Sequence, residues 1–217
     1  MAKKNKPRLA IFINHPECSI HCASGMYEAM SADFNIEIFN NTQFNKSIFK
    51  KADIIAFPGG IGDSDTFDRL VGDKKNYIAD ALDKGVRYLG ICMGAYWADK
   101  YYFDILDDIR CVQYIKQPTA DVKRSFGTTA NVKWLGNQTD MYFYDGCTFT
   151  SENNNFETYA SYANGEPMAI RQKNIGLIGC HPESMPSWYT TPSMKLRWHN
   201  YEHHKLLCDF TKDLLEK

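Results

Sequence analysis

Three short apolar runs govern what this chain can fold into: RLAIFIN (8–14), ADIIAF (52–57) and VRYLGI (86–91). Runs this short, apolar at nearly every position, suit strands covered on both faces. The second stops at Pro58-Gly59-Gly60 and the third at Cys92-Met93-Gly94. Between them, NIEIFN (35–40) alternates and reads as a more exposed strand. A helical stretch is expected around Ser19–Ser31. Another is expected over 73–85, where Tyr77, Ile78, Ala81 and Leu82 recur at helical spacing before Gly85. A helix from about Met93 continues the alternation. The succession predicts an α/β domain, a doubly wound and mainly parallel sheet with helices on both faces. Chemistry in such a sheet gathers at the carboxyl ends of the strands.

The stretch from about 109 to 180 differs. RCVQYIKQ, ANVKWLG, MYFYDGCTFT, ETYASYA and PMAIRQKNIGLIG read as strands joined by short turns, so extra antiparallel strands are expected in the second half. SENNNFETY (151–159) reads as a polar, mobile loop, and 195–215 as one packing helix with HNYEHH on its polar face. No repeat or low-complexity linker divides the chain, so residues 1–217 are expected to form a single domain.

Composition narrows the function. Twenty-five basic residues stand against 26 acidic ones, which supplies no electrostatic reason for a nucleic-acid partner. The basic start (Lys3, Lys4, Lys6) reads as a solvated end. No apolar run has the length of a membrane span, and no membrane partner is expected. Seven irregularly spaced cysteines do not resemble a disulfide framework, which points to a reduced, cytoplasmic setting.

The residues that carry chemistry sit at strand ends. Gly90-Ile91-Cys92-Met93-Gly94 has the pattern of a nucleophile elbow, in which small flanking residues let neighbouring backbones approach and the central residue is strained. A helix starting there favours a thiolate and aims the Met93 N–H at a developing oxyanion. Taken alone, the pattern fits equally a small core cysteine. His181-Pro182-Glu183 follows another apolar run. Pro182 holds His181 extended, and side chains two apart on an extended segment share a face. Glu183 can then orient His181 as a base for Cys92. Gly60, at the end of the 52–57 run, is the expected second oxyanion donor. His15, Cys18, His21 and Cys22 lack the compact pairs of a structural zinc site, and no metal or other cofactor is expected. GGIGDSD (59–65) lacks the Lys-Ser/Thr ending of a phosphate loop.

In this order, PGG, then G-x-C-x-G, then H-P-E, the chain resembles the class I glutamine amidotransferase-like superfamily over roughly residues 8–190. GICMGAYW, with Tyr96 four positions after the cysteine where glutamine-using members have Gln, and HPECSIHCASG (15–25) resemble one branch more closely. That branch is the amidotransferase-like N-terminal domain of eukaryotic biotin–protein ligases and its free-standing relatives. The resemblance implies a flavodoxin-like domain with a Cys92–His181–Glu183 triad. The enzyme would act on a small-molecule amide or a related carbonyl compound. Gly60 and Met93 would stabilise the oxyanion, and Gly59 and Tyr96 are expected to face the substrate; Glu17 or Cys18, just after the first strand, is expected at the rim of the site. A synthetase or other partner protein would receive any ammonia. Tyr96 leaves glutamine use open. It also leaves open the alternative, a non-catalytic binding or regulatory module that keeps the fold.

Overall fold

The computed structural model describes residues 5–61 and 63–216; Lys3, Lys4 and Gly62 lie outside the described residues. In chain order the first half comprises β1 (Arg8–Phe12), α1 (Ile20–Met30), β2 (Asn35–Phe39), α2 (Lys46–Phe49), β3 (Ile54–Phe57), α3 (Ser64–Val71), α4 (Lys75–Asp83), β4 (Arg87–Ile91) and α5 (Met93–Tyr96). The second half comprises β5 (Arg110–Gln113), β6 (Thr128–Trp134), β7 (Asn137–Phe143), β8 (Cys147–Thr150), β9 (Glu157–Tyr162), β10 (Pro167–Gln172), β11 (Ile175–Ile178), α6 (Pro192–Lys195) and α7 (Glu202–Glu216).

One nine-stranded sheet runs β2-β1-β3-β4-β11-β10-β9-β6-β7. The first five strands are parallel, and β10, β9, β6 and β7 extend them as an antiparallel wing. β5 and β8 pair separately as a small antiparallel ribbon. Successive strand residues serve opposite cores, as the period of two requires. Leu9, Ile11, Ile54, Ala56, Leu89 and Ile91 pack with Met26 and Met30 of α1 and Leu207 and Phe210 of α7. Ala10, Phe12, Ile55, Phe57 and Tyr88 pack on the other face with Phe67 of α3, Ile78 of α4 and Trp97. This double coverage makes β1, β3, β4 and β11 apolar at nearly every position, while the edge strand β2 stays largely exposed.

Several elements differ from their sequence expectation. The helix after Cys92 is a single turn. After the 59–65 segment, whose lack of a Lys-Ser/Thr ending ruled out a phosphate loop, the chain forms helix α3, with the Asp63 carboxylate accepting from Thr66 N at 2.8 Å as N-cap. MYFYDGCTFT is not one strand. Asp145, at φ 47°, turns the chain, so that β7 stays in the large sheet and β8 joins the ribbon. The tail is broken before α7 by Asn200 and Tyr201, both at positive φ, and His203 and His204 are buried rather than on a polar face. Residues 151–156 are pinned. Ser151 Oγ and Asn153 N and Nδ2 donate to Asp108 Oδ2, and Asn155 Nδ2 donates to Asp107 O.

Helix α1 fixes the site by close approach. A Cβ on Gly25 would lie 2.2 Å from the Glu183 carbonyl oxygen, so only glycine lets this helix reach the His-Pro-Glu segment. Gly25→Ala is expected to lower stability by about 1–3 kcal/mol, measured by urea unfolding, through overpacking against backbone that has little room to yield.

Candidate active site

Strand β4 lies between β3 and β11 in parallel register, with Gly90 beside Phe57 on one side and Leu177 on the other. Cys92 follows it at φ 51°, ψ −104°, outside the regions favoured by L-residues. Its N–H still donates to Ile178 O at 2.8 Å, and the next turn is clamped by Gly94 N to Pro58 O at 3.2 Å. A Cβ on Gly94 would lie 2.1 Å from Phe57 O, and one on Gly90 would lie 2.4 Å from Gly94 O. Tyr88 Oη donates to Gly94 O at 2.7 Å from beneath. These contacts hold a conformation that costs about 1–3 kcal/mol. The thiol of Cys92 donates to Tyr144 O at 3.4 Å. Because α5 is a single turn, little macrodipole acts on the thiol, and the free N–H groups of that turn are what it offers an anion.

Strand β11 leads through Gly179 and Cys180 to His181, whose N–H donates to Tyr142 O at 2.9 Å. His181 Nδ1 lies 2.8 Å from Glu183 Oε1, and both side chains are buried. His181 Nε2 and Glu183 Oε2 make no further hydrogen bond. Burial opposes a charged imidazole, but the Glu183 carboxylate favours it more strongly, as does Cys92 when it is a thiolate, and the proton affinity of His181 rises well above that of a free imidazole. The ring meets Tyr142 and Trp188 edge to face, at centroid distances of 5.9 and 5.7 Å. Cys22 Sγ stands 4.0 Å from Nδ1. Burial pushes the Cys22 thiol up, so it faces the ring as a neutral group.

The other predicted residues fall in two groups. Gly60 sits in an isolated antiparallel bridge with Cys18, in which Ser19 N donates to Gly59 O and Ile61 N donates to Glu17 O. Among the described residues, the N–H groups of Gly60 and Met93 donate to no protein acceptor. Gly60 lines the same cleft as Cys92 and His181. Gly59, expected to face substrate, instead makes room for the histidine, since a Cβ there would lie 2.7 Å from His181 Cε1 and 2.8 Å from Cys22 Sγ. Glu17 lines the cleft, but its oxygens are taken by Arg69 at 2.9 Å and Asn14 at 3.1 Å. Tyr96 lies outside the cleft wall and packs on the Phe57 side of the sheet, with its hydroxyl donating to Asp145 O at 3.2 Å.

Sequence reasoning sets Cys22 aside with the loose His/Cys cluster. That cluster does disperse: Cys18 packs against Met93 and His15 is exposed. Cys22, however, lies with His181 and Glu183 so that one ligand atom of each is within 4.8 Å of the others. These donor types suit a borderline cation such as zinc, although a cation there would have to disrupt the His181–Glu183 hydrogen bond. Tyr142 and Trp188 also escape the sequence as site residues. Their only signal is aromatic character, which serves core and cleft alike.

The profile of the family described as glutamine amidotransferase class-I matches residues 26–197, and the chain belongs to that family. No curated protein is significantly similar to it in sequence. Among solved structures, a glutamine amidotransferase from Thermotoga maritima superposes with a TM-score of 0.68 at 10% identity, over 99% of this chain and 100% of that one. PurLQS from the same organism gives 0.66 at 13% identity, over 96% and 99%. A Thermoplasma acidophilum protein provisionally named as part of a GMP synthase gives 0.59 at 15% identity, over 99% and 100%. At these identities the likeness is one of fold.

Behind Glu183 lies a histidine cluster. His199 Nε2 is 3.2 Å from Ser184 Oγ, His204 Nε2 is 3.0 Å from Ser184 O, and His203 Nε2 is 2.8 Å from Thr139 Oγ1. His199 and His203 stack at 4.0 Å. Burial, then the neighbouring histidines, lowers His199 to about 3 and His203 to about 4. Both are therefore neutral when folded and take up protons more readily when unfolded. Stability is fully present above the unfolded value near 6.5 and is lost as pH falls from there toward the folded values. Urea midpoints are expected to fall between pH 6.5 and 4. His203→Gln should flatten that limb, removing up to about 1.4 kcal/mol per pH unit of slope.

Proposed function

We propose that this protein is a cysteine-dependent hydrolase or amidotransferase acting on an amide-type carbonyl. In this reading Cys92 is the nucleophile, His181 the acid–base group and Glu183 its orienting partner. The observation that carries the reading is the strained Cys92, which lines a cleft together with a buried imidazole bonded to a carboxylate at 2.8 Å. Strain of this kind persists where surrounding packing fixes it, and it collects at functional sites. Cys92 Sγ attacks the carbonyl carbon while His181 Nε2, which has no other hydrogen-bond partner, takes the thiol proton. The carbonyl oxygen becomes an oxyanion between the Gly60 and Met93 N–H groups. Collapse of the tetrahedral adduct breaks the bond to the leaving amine, to which His181 returns the proton. Water, deprotonated by His181, then cleaves the thioester to a carboxylic acid and the free thiol.

The HPECSIHCASG segment and the G-x-C-x-G-x-Y elbow support kinship with the amidotransferase-like domain of biotin–protein ligases. The structural neighbour provisionally named as part of a GMP synthase supports a synthetase or other protein as partner. Seven free cysteines support a reducing compartment, and no described helix is long and apolar enough to cross a membrane. The second reading, a binding module without turnover, is favoured by Tyr96, which supplies no side chain to the cleft.

Iodoacetamide labelling against pH, read per cysteine by mass spectrometry, separates the two readings. The catalytic one expects Cys92 to label at least tenfold faster than the other six below pH 7 and to lose that advantage in His181→Ala. Burial raises the thiols of Cys18, Cys22, Cys147, Cys180 and Cys208, which sharpens the contrast. Uniformly slow labelling in both proteins favours the module. On any substrate found, Cys92→Ala or His181→Ala should cost several orders of magnitude in kcat.

A further inference from the structure

Helix α1 and the His-Pro-Glu segment bring three metal-binding side chains together. Cys22, His181 and Glu183 are 7%, 3% and 0% exposed, and one ligand atom of each lies within 4.8 Å of the others. His181 Nδ1 is 2.8 Å from Glu183 Oε1 and 4.0 Å from Cys22 Sγ, so thiol and carboxylate converge on the same ring nitrogen. Around a tetrahedral zinc ion, sulfur, nitrogen and oxygen ligands sit roughly 3.3–3.6 Å apart. On that scale the thiol has about half an ångström to close and the carboxylate about as much to give. Gly59 keeps open the space between thiol and ring, since a Cβ there would lie 2.8 Å from Cys22 Sγ and 2.7 Å from His181 Cε1. Glu183 also holds an oxygen in reserve: Oε2 is buried and makes no hydrogen bond. An acceptor left unmatched in a dry place is costly, and a cation is the partner that would match it. Among the described residues no lysine or arginine lines the adjoining cleft to play that part, and Arg69 is engaged by Glu17.

We propose that Cys22, His181 Nδ1 and Glu183 form a zinc site, with a water from the cleft as fourth ligand. Cys22 and His181 both line the cleft, which is the way in. A thiolate, a carboxylate and a neutral imidazole around a divalent ion sum to zero charge, which suits a buried place. The thiolate selects zinc over magnesium or calcium, which prefer oxygen donors. Burial keeps the Cys22 thiol protonated without metal. Zinc displaces that proton to solvent, and the ring proton passes from Nδ1 to Nε2. Nε2 lies on the far side of the ring, so Cys92, which the thiol-enzyme reading pairs with it, is not a ligand. The ion takes the lone pair that now carries the hydrogen bond to Glu183. Metal-bound and hydrogen-bonded arrangements therefore exclude one another, and a zinc-loaded chain lacks the carboxylate-oriented imidazole.

Zinc and cobalt titrations of the metal-free full chain, kept reduced with a phosphine, test the site. Competition with a chromophoric chelator should give one tightly bound zinc ion per chain. Cobalt should bring thiolate-to-metal charge-transfer absorption in the near ultraviolet and the intense visible bands of a tetrahedral ion. Cys22→Ser should remove the charge-transfer absorption and weaken zinc binding at least tenfold, and Glu183→Gln should weaken it by a similar factor. Cys22→Ala serves if Cys22→Ser does not fold. Cys92→Ser should keep both the spectrum and the affinity. Failure of the wild-type chain to bind zinc more tightly than the Cys22 variants overturns the proposal, as does a cobalt–thiolate signal lost in Cys92→Ser. The thiol-enzyme reading is tested apart from this, by His181-dependent labelling of Cys92 without metal, so either can fail while the other stands.

Discussion

Everything at this site depends on one backbone contact, the approach of Gly94 to Phe57 O at the end of β3. That contact is possible because neither Gly94 nor Gly90 carries a Cβ. It pulls the one-turn helix α5 down onto the neighbouring strand, and Cys92 absorbs the mismatch as positive φ. The parallel register of β3, β4 and β11 then sets the rest. Gly60 follows β3, Cys92 follows β4 and His181 follows β11, so three separate strands deliver their groups to one edge of the sheet.

The second requirement is space. A buried ion-pairing histidine and carboxylate are tolerable only when their surroundings neither clash with nor hydrate them. Gly59 makes room for the imidazole ring and Gly25 for the Glu183 backbone, while Tyr142 and Trp188 box the ring laterally. The histidine is thus oriented by a carboxylate on one nitrogen and left with the other available. Its neighbours exclude water without competing for the proton.

Much of the parallel half was legible because its signals are local and physical. Strands apolar at every position had to be covered twice, and glycines at their ends marked close approach. The order of PGG, G-x-C-x-G and H-P-E was readable for the same reason. What escaped depended on distance along the chain or on length. Position 96 was expected in the cleft, but its hydroxyl meets Asp145 O, a partner 49 residues away that no local signal marks. Cys22 looked like part of a loose metal cluster, because its proximity to His181 arises only when Gly25 lets α1 dock 159 residues away in sequence. The burial of His203 and His204 was equally hidden: a histidine-rich tail reads as polar until Ser184 and Thr139 are brought to meet it.

The seven cysteines are all free and all buried, and they are spread over the loop after β1, helix α1, the elbow, the ribbon, the end of β11 and helix α7. Each apart from Cys92 and Cys22, which line the cleft, is shut away by packing, so it becomes modifiable only when its own neighbourhood opens. The chain therefore carries its own set of position-specific opening probes. Slow modification under native conditions would rank the fold's regions by local opening free energy, much as amide exchange does, without added labels. Cys111 and Cys147 would report the ribbon, Cys180 the junction with the antiparallel wing and Cys208 the docking of the last helix. Such a ranking would tell whether the fold opens as one unit or lets its added strands go first.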